Sequence, residues 1–213
     1  MFNIHIINYM SLSKEKAKDL FSLRKATFAD RLGWAVTSEN GLERDVFDGI
    51  DTNYVLGIMN EEIICGTRLI AMSNKNMLES AFAVFFKNAK IPPGCYVEST
   101  RFFVDKKRAK ELLGYHYPVT LTLFLSLINF AQQHDYDGII AVASHAMMHI
   151  IRQSGWHVTI LDTGLSEKNE PVYLLLGHVD YISCKNLKEK ILTGKNTLTE
   201  RLLDSWPLVS KDI

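Results

Sequence analysis

An excess of charge of either sign is missing from this sequence. Its 24 Lys and Arg residues stand against 24 Asp and Glu over 213 residues. A general polyanion-binding surface is thereby disfavoured, and any basic contact patch must be local, with no nucleic-acid partner expected. Cysteine is scarce as well. Cys65, Cys95 and Cys184 are widely spaced, with no C-x-x-C pair and no His spacing of the zinc type. No disulfide framework and no metal centre are expected, and a reducing cytoplasm is the default compartment. Long apolar runs at the start are lacking too. Met1 to Tyr9 is apolar but short, has no basic start, and is followed at once by the charged run Lys14 to Asp19, which predicts neither a signal peptide nor a membrane span. Internal repeats, low-complexity segments and interior linkers are absent, so residues 1–213 are read as one domain.

What is present is an ordinary globular mixture, 47% hydrophobic and 23% charged, ample for a sizeable core. The pattern is mixed α/β. Phe2 to Tyr9 reads as a strand, and Ser13 is placed to N-cap a helix running to about Leu32, which Gly33 ends. Residues 33–53 form a long acid-rich connection, of the kind that usually has a functional reason. Tyr54–Met59 and Ile63–Met72 flank Asn60-Glu61-Glu62 as a hairpin, and Met77–Phe86 reads as a short helix. Strands are expected at Cys95–Val104, Gly138–Ser144, Val158–Asp162 and Val172–Gly177. Helices are expected at Val119–Gln133 and at His145–Ser154, the latter closed by Gly155. The strand–helix alternation of the second half favours a sheet with parallel members covered by helices.

The stretch Glu98-Ser99-Thr100-Arg101-Phe102-Phe103 concentrates the chemistry. A buried strand normally avoids ionisable groups, because a charge in an apolar layer is costly unless paired. Strict alternation puts Glu98, Thr100 and Phe102 on one face and Ser99, Arg101 and Phe103 on the other. Arg68 stands in the apolar hairpin strand and, like Arg101, requires an anionic partner. Glu43, Asp45 and Asp48 in the acidic connection are the obvious suppliers, although an acidic loop by itself is more often simply solvated. Arg24 falls on the apolar stripe Ala17-Leu20-Phe21-Phe28 of the first helix. It either snorkels from the core edge or points inward at a carboxylate. Trp34 is either a core anchor or an aromatic platform for a cation.

In order and spacing, Arg24, Phe28, Trp34, Glu43, Asp45, Asp48, Arg68, Glu98, Thr100, Arg101 and Phe102 resemble the pattern of LuxI-type acyl-homoserine-lactone synthases. Phe82 fits the aromatic of that family's next helix, while the second half agrees more loosely through Ser144-His145-Ala146-Met147, Ser154-Gly155-Trp156 and Trp206-Pro207. One departure is visible: Ser73-Asn74-Lys75-Asn76 stands where the family often has Thr-Gly-Pro. The resemblance implies an α/β fold of the N-acetyltransferase (GNAT-like) kind, a sandwich around a twisted mixed sheet. It also implies amide formation between S-adenosylmethionine and an acyl-acyl-carrier protein, then lactonisation with release of methylthioadenosine. S-adenosylmethionine is a substrate here, and no cofactor is expected.

Under that resemblance Glu98 is the candidate general base, directly or through water. Thr100 would hydrogen-bond the reacting groups, and Arg68 and Arg101 would tie down Asp45, Asp48 and Glu43. Arg24, Phe28, Trp34, Phe82 and Phe102 would form the adenosylmethionine end. The acyl pocket is assigned to Ser99, Ala141, Ala143, Met147 and Leu176, for each of which plain core packing is the competing reading. Ala141 has no hydroxyl to meet a 3-oxo group, which leans towards a short unsubstituted chain. Acetyltransferases of this superfamily hold coenzyme A pyrophosphate on a Gly-rich turn at a helix N-terminus. Lys106 to Gly114 has no such turn and offers Lys106, Lys107, Arg108 and Lys110, extended by Arg152, to an acidic carrier protein. The alternatives are an N-acyltransferase of the same fold that uses acyl-coenzyme A, and a non-catalytic binding module.

Overall fold

The computed structural model describes residues 1–194 and 196–210. The chain begins with β1 (Asn3–Asn8) and α1 (Lys14–Arg24). As the sequence predicts, Ser13 caps α1, its hydroxyl accepting the Lys16 N–H. The helix does not run on as an α-helix: it widens into a π-helical stretch over Lys25–Arg31 and ends at Gly33, which has a left-handed φ of 59°. Such widened turns are uncommon and gather at functional sites. The acidic connection carries only a two-rung ribbon, β2 (Ser38–Glu39) with β3 (Leu42–Glu43).

The expected hairpin is β4 (Thr52–Met59) and β5 (Glu62–Ala71), turned by Asn60 and Glu61, both at positive φ. Then follow β6 (Tyr96–Val104), α2 (Lys106–Leu113), α3 (Val119–Gln133), β7 (Gly138–Ser144) and α4 (His145–Ser154). The chain finishes with β8 (Val158–Leu165), β9 (Pro171–His178), α5 (Tyr181–Leu192), α6 (Glu200–Ser205) and β10 (Leu208–Val209). The main sheet has the order β10-β1-β4-β5-β6-β7-β9-β8. β1 runs parallel to β10 and β6 parallel to β7, and the other pairs are antiparallel. The fold is the mixed, helix-covered α/β sheet that the sequence suggests.

One sheet face carries α3, whose apolar residues pack with Val97, Ile139, Ala143 and Leu175 in the largest core cluster. α5 and α6 cover α3 from outside, which explains why α3 is apolar almost all round. The other face is covered near β1, β4 and β5 by α1 and the π-helical segment after it, through Leu20, Phe21 and Phe28 over Tyr54, Leu56 and Phe103. Further along that face, Leu78 and Phe86 pack over Ile140, Leu174 and Leu176.

Met77–Phe86 is not the expected helix. Only a single 3-10 turn forms, at Ala83–Phe85, and the rest is made of turns. The amides of Met77 and Leu78 donate to the Glu98 carboxylate, and successive turns lay Leu78, Phe82, Phe85 and Phe86 onto the third cluster. The apolar spacing that imitates a helix thus comes from a strap lying flat across the sheet.

The ladder between β6 and β7 is short. It runs from Tyr96–Gly138 to Ser99–Ala141 and stops. Beyond that point β6 continues with β5 as far as Val104, while β7 stays with β9 as far as Ser144. The two parallel strands therefore splay, opening a wedge at the level of Thr100 and Val142. Among the described residues no helix is long and apolar enough to cross a membrane.

Candidate active site

Six ionisable side chains close into one ring beneath the π-helical segment. Arg101 on β6 reaches Glu43 and Asp45, each at 3.0 Å. Glu43 on β3 accepts Arg24 Nε at 2.5 Å, and the Arg24 Nη1 meets Asp48 at 2.7 Å. Asp48 also takes Arg68 Nη1 at 3.0 Å, and Arg68 returns to Asp45 at 2.5 Å. Three guanidiniums and three carboxylates thus alternate around a closed circuit with no net charge. All six are nearly buried, and the Asp45 side chain, at 11% exposed, is the most open. Burying charges this deeply is tolerable only because each has opposite partners and hydrogen bonds.

Aromatic rings flank the circuit. Phe21 lies under Arg24, Phe47 by Arg68 and Phe28 by Arg101, with ring centroids 5.2–5.6 Å from the guanidinium carbons. Trp34 stacks on the buried Phe28 at 5.2 Å and, 38% exposed, presents its own aromatic face at the surface.

Asp48 is the most heavily hydrogen-bonded member. Besides the two arginines it accepts the Tyr54 hydroxyl at 2.6 Å and the Asp45 N–H at 2.9 Å. Burial works to raise its pKa, but the charges of Arg24 and Arg68 overcome that and hold it well below the usual carboxylate range. Burial likewise pushes the Tyr54 phenol far above its ordinary value, with Asp48 adding to the effect, so Tyr54 is a fixed donor. The sequence reading missed Tyr54, although the hairpin register pairs it directly with Arg68. A polar-tipped aromatic facing a buried arginine was the available signal.

Glu98 stands apart from this circuit. Its carboxylate accepts the Leu78 N–H at 2.7 Å and the Met77 N–H at 3.0 Å, and it is 2% exposed. Burial raises its pKa, opposed by those two amides and by the charge of Arg68. A carboxylate with elevated proton affinity, one residue before the strands splay, has the properties of a general base. Thr100 Oγ1 accepts Arg68 Nε at 3.1 Å, which links the strand to the circuit. Met77, also missed, sets its sulfur 2.8 Å from Arg68 Nη2 and 3.6 Å from Arg101 Nη1.

Strict alternation fails on β6, and the failure builds the site. Arg101 has a φ of 57°, left-handed for a bulky residue, and the β5–β6 register slips between Gly66 and Arg68. This β-bulge turns Arg101 onto the face of Glu98 and Thr100 instead of the face of Ser99. Phe102 is correspondingly displaced: its ring packs on Phe124 of α3 at 5.0 Å, away from Phe28 and Trp34. Phe103 is the residue that joins Phe28. Arg24 does not snorkel; the last turn of α1 buries it, with its donors committed to Glu43 and Asp48. Phe82 packs with Phe85, 5.9 Å away, over the third cluster.

The five residues assigned to the acyl pocket divide between the two sheet faces. Ser99 lies beside Ala141 across the short ladder, and Ala143 and Met147 join the α3-side cluster. Leu176 belongs to the opposite face with Ile140 and Leu174. Ser99 Oγ is engaged by Thr67 Oγ1 at 3.0 Å.

Lys106, Lys107 and Lys110 are exposed on α2. Arg108 differs, forming ion pairs with Asp19 at 2.8 Å and Glu62 at 3.4 Å and donating to the Ile63 carbonyl. Arg152 is exposed on α4, which packs on β7 and β9, whereas α2 packs on β5.

The mixed sheet wrapped by helices is a fold shared with solved acyltransferases. A solved acyl-CoA N-acyltransferase from Pseudomonas aeruginosa superposes with a TM-score of 0.53 at 12% identity, covering 84% of this chain and 99% of that one. The likeness is closer to acyl-homoserine-lactone synthases. LasI superposes with a TM-score of 0.79 at 19% identity over 94% of this chain and 98% of its own. A CoA-dependent synthase, BjaI, solved with SAM and isopentyl-CoA, gives 0.76 at 20% identity over 90% of both chains. The family model described as autoinducer synthase matches residues 8–187. The acyl-homoserine-lactone synthase of Pectobacterium carotovorum subsp. carotovorum is 43% identical over 208 residues, 98% of this chain and 96% of its own length. This chain belongs to the autoinducer synthase family, and it is an acyl-homoserine-lactone synthase, hence an acyltransferase.

Proposed function

We propose that the enzyme takes its acyl group from an acyl-acyl-carrier protein and its amine from S-adenosylmethionine, acting in the cytoplasm. The observation that carries this reading is Glu98, buried, held by two backbone amides, raised in proton affinity and set where β6 and β7 part. The ammonium of S-adenosylmethionine must lose a proton before its nitrogen attacks the thioester carbonyl. Glu98, directly or through a water, receives that proton. The thiol leaves with the carrier, and the methionine carboxylate then attacks its own γ-carbon, expelling methylthioadenosine and closing the lactone. Trp34, backed by the buried Phe28, offers a platform for the sulfonium. The Arg–carboxylate circuit keeps the acidic connection and β6 fixed in register while this happens.

The preference for a carrier protein is supported by α2. Its N-terminal amides at Lys107 and Arg108 are taken by its own cap, Asp105, so the place where a pyrophosphate would sit is filled by a carboxylate. The exposed Lys106, Lys107 and Lys110 suit an acidic partner. A second reading, acyl-coenzyme A as donor, is favoured by the likeness to the CoA-dependent BjaI. Ala141, half-buried beside Ser99 at the end of the ladder, has no hydroxyl for a 3-oxo group, which favours a short unsubstituted acyl chain.

Mass spectrometry of products from S-adenosylmethionine with C4 to C12 acyl-carrier proteins, and with the matching coenzyme A thioesters, tests the reading. Acyl-homoserine lactone plus methylthioadenosine, made faster from the carrier protein, is the expected result. Faster turnover with coenzyme A would replace the donor, and a plain acyl amide without methylthioadenosine would refute the second chemical step.

A further inference from the structure

Three side chains outside the site converge where β8 begins and β9 ends. His157 and His178 are cross-strand neighbours, the His178 N–H donating to the His157 carbonyl at 3.0 Å. Their rings stack with centroids 4.3 Å apart. Asp180 follows two residues after His178 and N-caps α5, one oxygen accepting the Ser183 N–H at 2.7 Å. Its other oxygen is 3.2 Å from His157 Nδ1. We propose that His157, His178 and Asp180 form a binding site for a divalent transition-metal ion of zinc type.

The argument rests on donor type, spacing and support. Two imidazoles and one carboxylate are a donor set suited to zinc, and three protein ligands leave a fourth position for water. One donor atom from each residue lies within 4.8 Å of the others. In a tetrahedral site with bonds near 2.0–2.1 Å, ligand atoms stand about 3.3 Å apart. His157 Nδ1 and Asp180 Oδ2 already stand at that separation, 3.2 Å apart.

The stacked rings must fan apart, because a metal lies near the plane of each ligating ring. The side chains of His157 and Asp180, 58% and 39% exposed, are free to make that turn. His178 Nε2 is engaged by Thr159 Oγ1 at 2.7 Å, which leaves Nδ1 for the metal and fixes the ring from outside, as ligating histidines usually require. None of the three hydrogen-bonds or ion-pairs with the Arg–carboxylate circuit or Glu98, so the reaction leaves them unassigned.

An ion here joins β8, β9 and α5. The His178 carbonyl also accepts Trp156 Nε1 at 2.9 Å, so the clamp reaches the core indole. The test uses the full, tag-free protein stripped with EDTA, titrated calorimetrically with ZnCl2 and followed by Co2+ absorption and thermal melting. Expected are one ion per chain, a visible Co2+ spectrum, a rise in Tm reversed by EDTA, and no response to MgCl2. His157→Ala and His178→Ala should each weaken binding by at least about tenfold, while His149→Ala, an exposed histidine on α4, leaves it intact. Circular dichroism of the variants confirms that they fold. The proposal is overturned by no saturable binding below about 0.1 mM, roughly −5.5 kcal/mol, or by binding that survives both substitutions.

Discussion

Removing two opposite charges from the six-membered circuit should cost less than the sum of the two single removals. Asp48→Asn is the sharpest of the single removals. The carboxylate accepts from Arg24, Arg68, Tyr54 and the Asp45 amide, so an asparagine NH2 must face at least one donor. The circuit is also left with an uncompensated buried positive charge. Breaking a buried pair from one side costs about 3–5 kcal/mol. For a chain of this size each kcal/mol lowers Tm by about 2–4 °C, so a fall of about 6–20 °C is expected. Arg68→Met removes the opposite charge, and the double variant restores neutrality. Melting and urea unfolding of the wild type, both singles and the double form the assay. The double should be more stable than the sum of the singles implies, with a coupling of about 1–3 kcal/mol. Strict additivity, or an Asp48→Asn change within about 0.5 kcal/mol of wild type, would refute the idea that the circuit acts as one electrostatic unit. Acid adds an independent check. The folded pKa of Asp48 is depressed, so its contribution is fully present above the ordinary value of 3.8 and is lost as pH falls below it towards the folded value.

Glu98→Gln should lower turnover by about 10²–10⁴-fold with little change in the circular dichroism spectrum. In the wild type the acidic limb of kcat/KM should lie above the ordinary glutamate value of 4.5, because the base must be ionised to accept a proton and its pKa is raised by burial; a limb at or below that value would contradict the assignment. Tyr54→Phe removes a hydrogen bond to a buried carboxylate and should cost about 1.5–3 kcal/mol in urea unfolding, whereas a neutral change would mean that the phenol is idle. Charge reversal at Lys106 and Lys107 should weaken use of the carrier protein, with a loss that shrinks as salt rises. Arg108→Glu should instead lower stability, since Arg108 is held by Asp19 and Glu62; unchanged stability would free Arg108 for docking.

Three elements of the second half were legible residue by residue, whereas α2, α5, α6 and β10 were not read from the sequence. Val119–Gln133, Gly138–Ser144 and His145–Ser154 have the bounds read from apolar spacing and from Gly155, because helix and strand periods there coincide with burial. The site was legible as residue types, since arginines in apolar strands require buried acids and those acids lay one loop away. Its geometry was not. Alternation presumes an unbroken pleat, and the bulge at Arg101 moves that side chain and Phe102 to the faces opposite those expected. The division of Leu176 from Ala141 depends on the β7–β9 register, which pairs Ala141 with Leu175, and no local pattern encodes a register between distant strands. The strap at 77–86 misled for a different reason: contact with one flat surface repeats apolar residues much as a helix does.

The circuit of six charges is assembled from α1, β3, the loop that follows, β5 and β6, so no two neighbouring segments own it. A lineage carrying this enzyme cannot explore these positions singly, because each first step strands a charge and only a second, distant change repairs it. Variation in what the enzyme makes should therefore accumulate elsewhere. On the proposed reading, uncharged side chains at the wedge between β6 and β7, such as Ser99 and Ala141, are free to change one group at a time, while the ionic frame beside them is inherited whole.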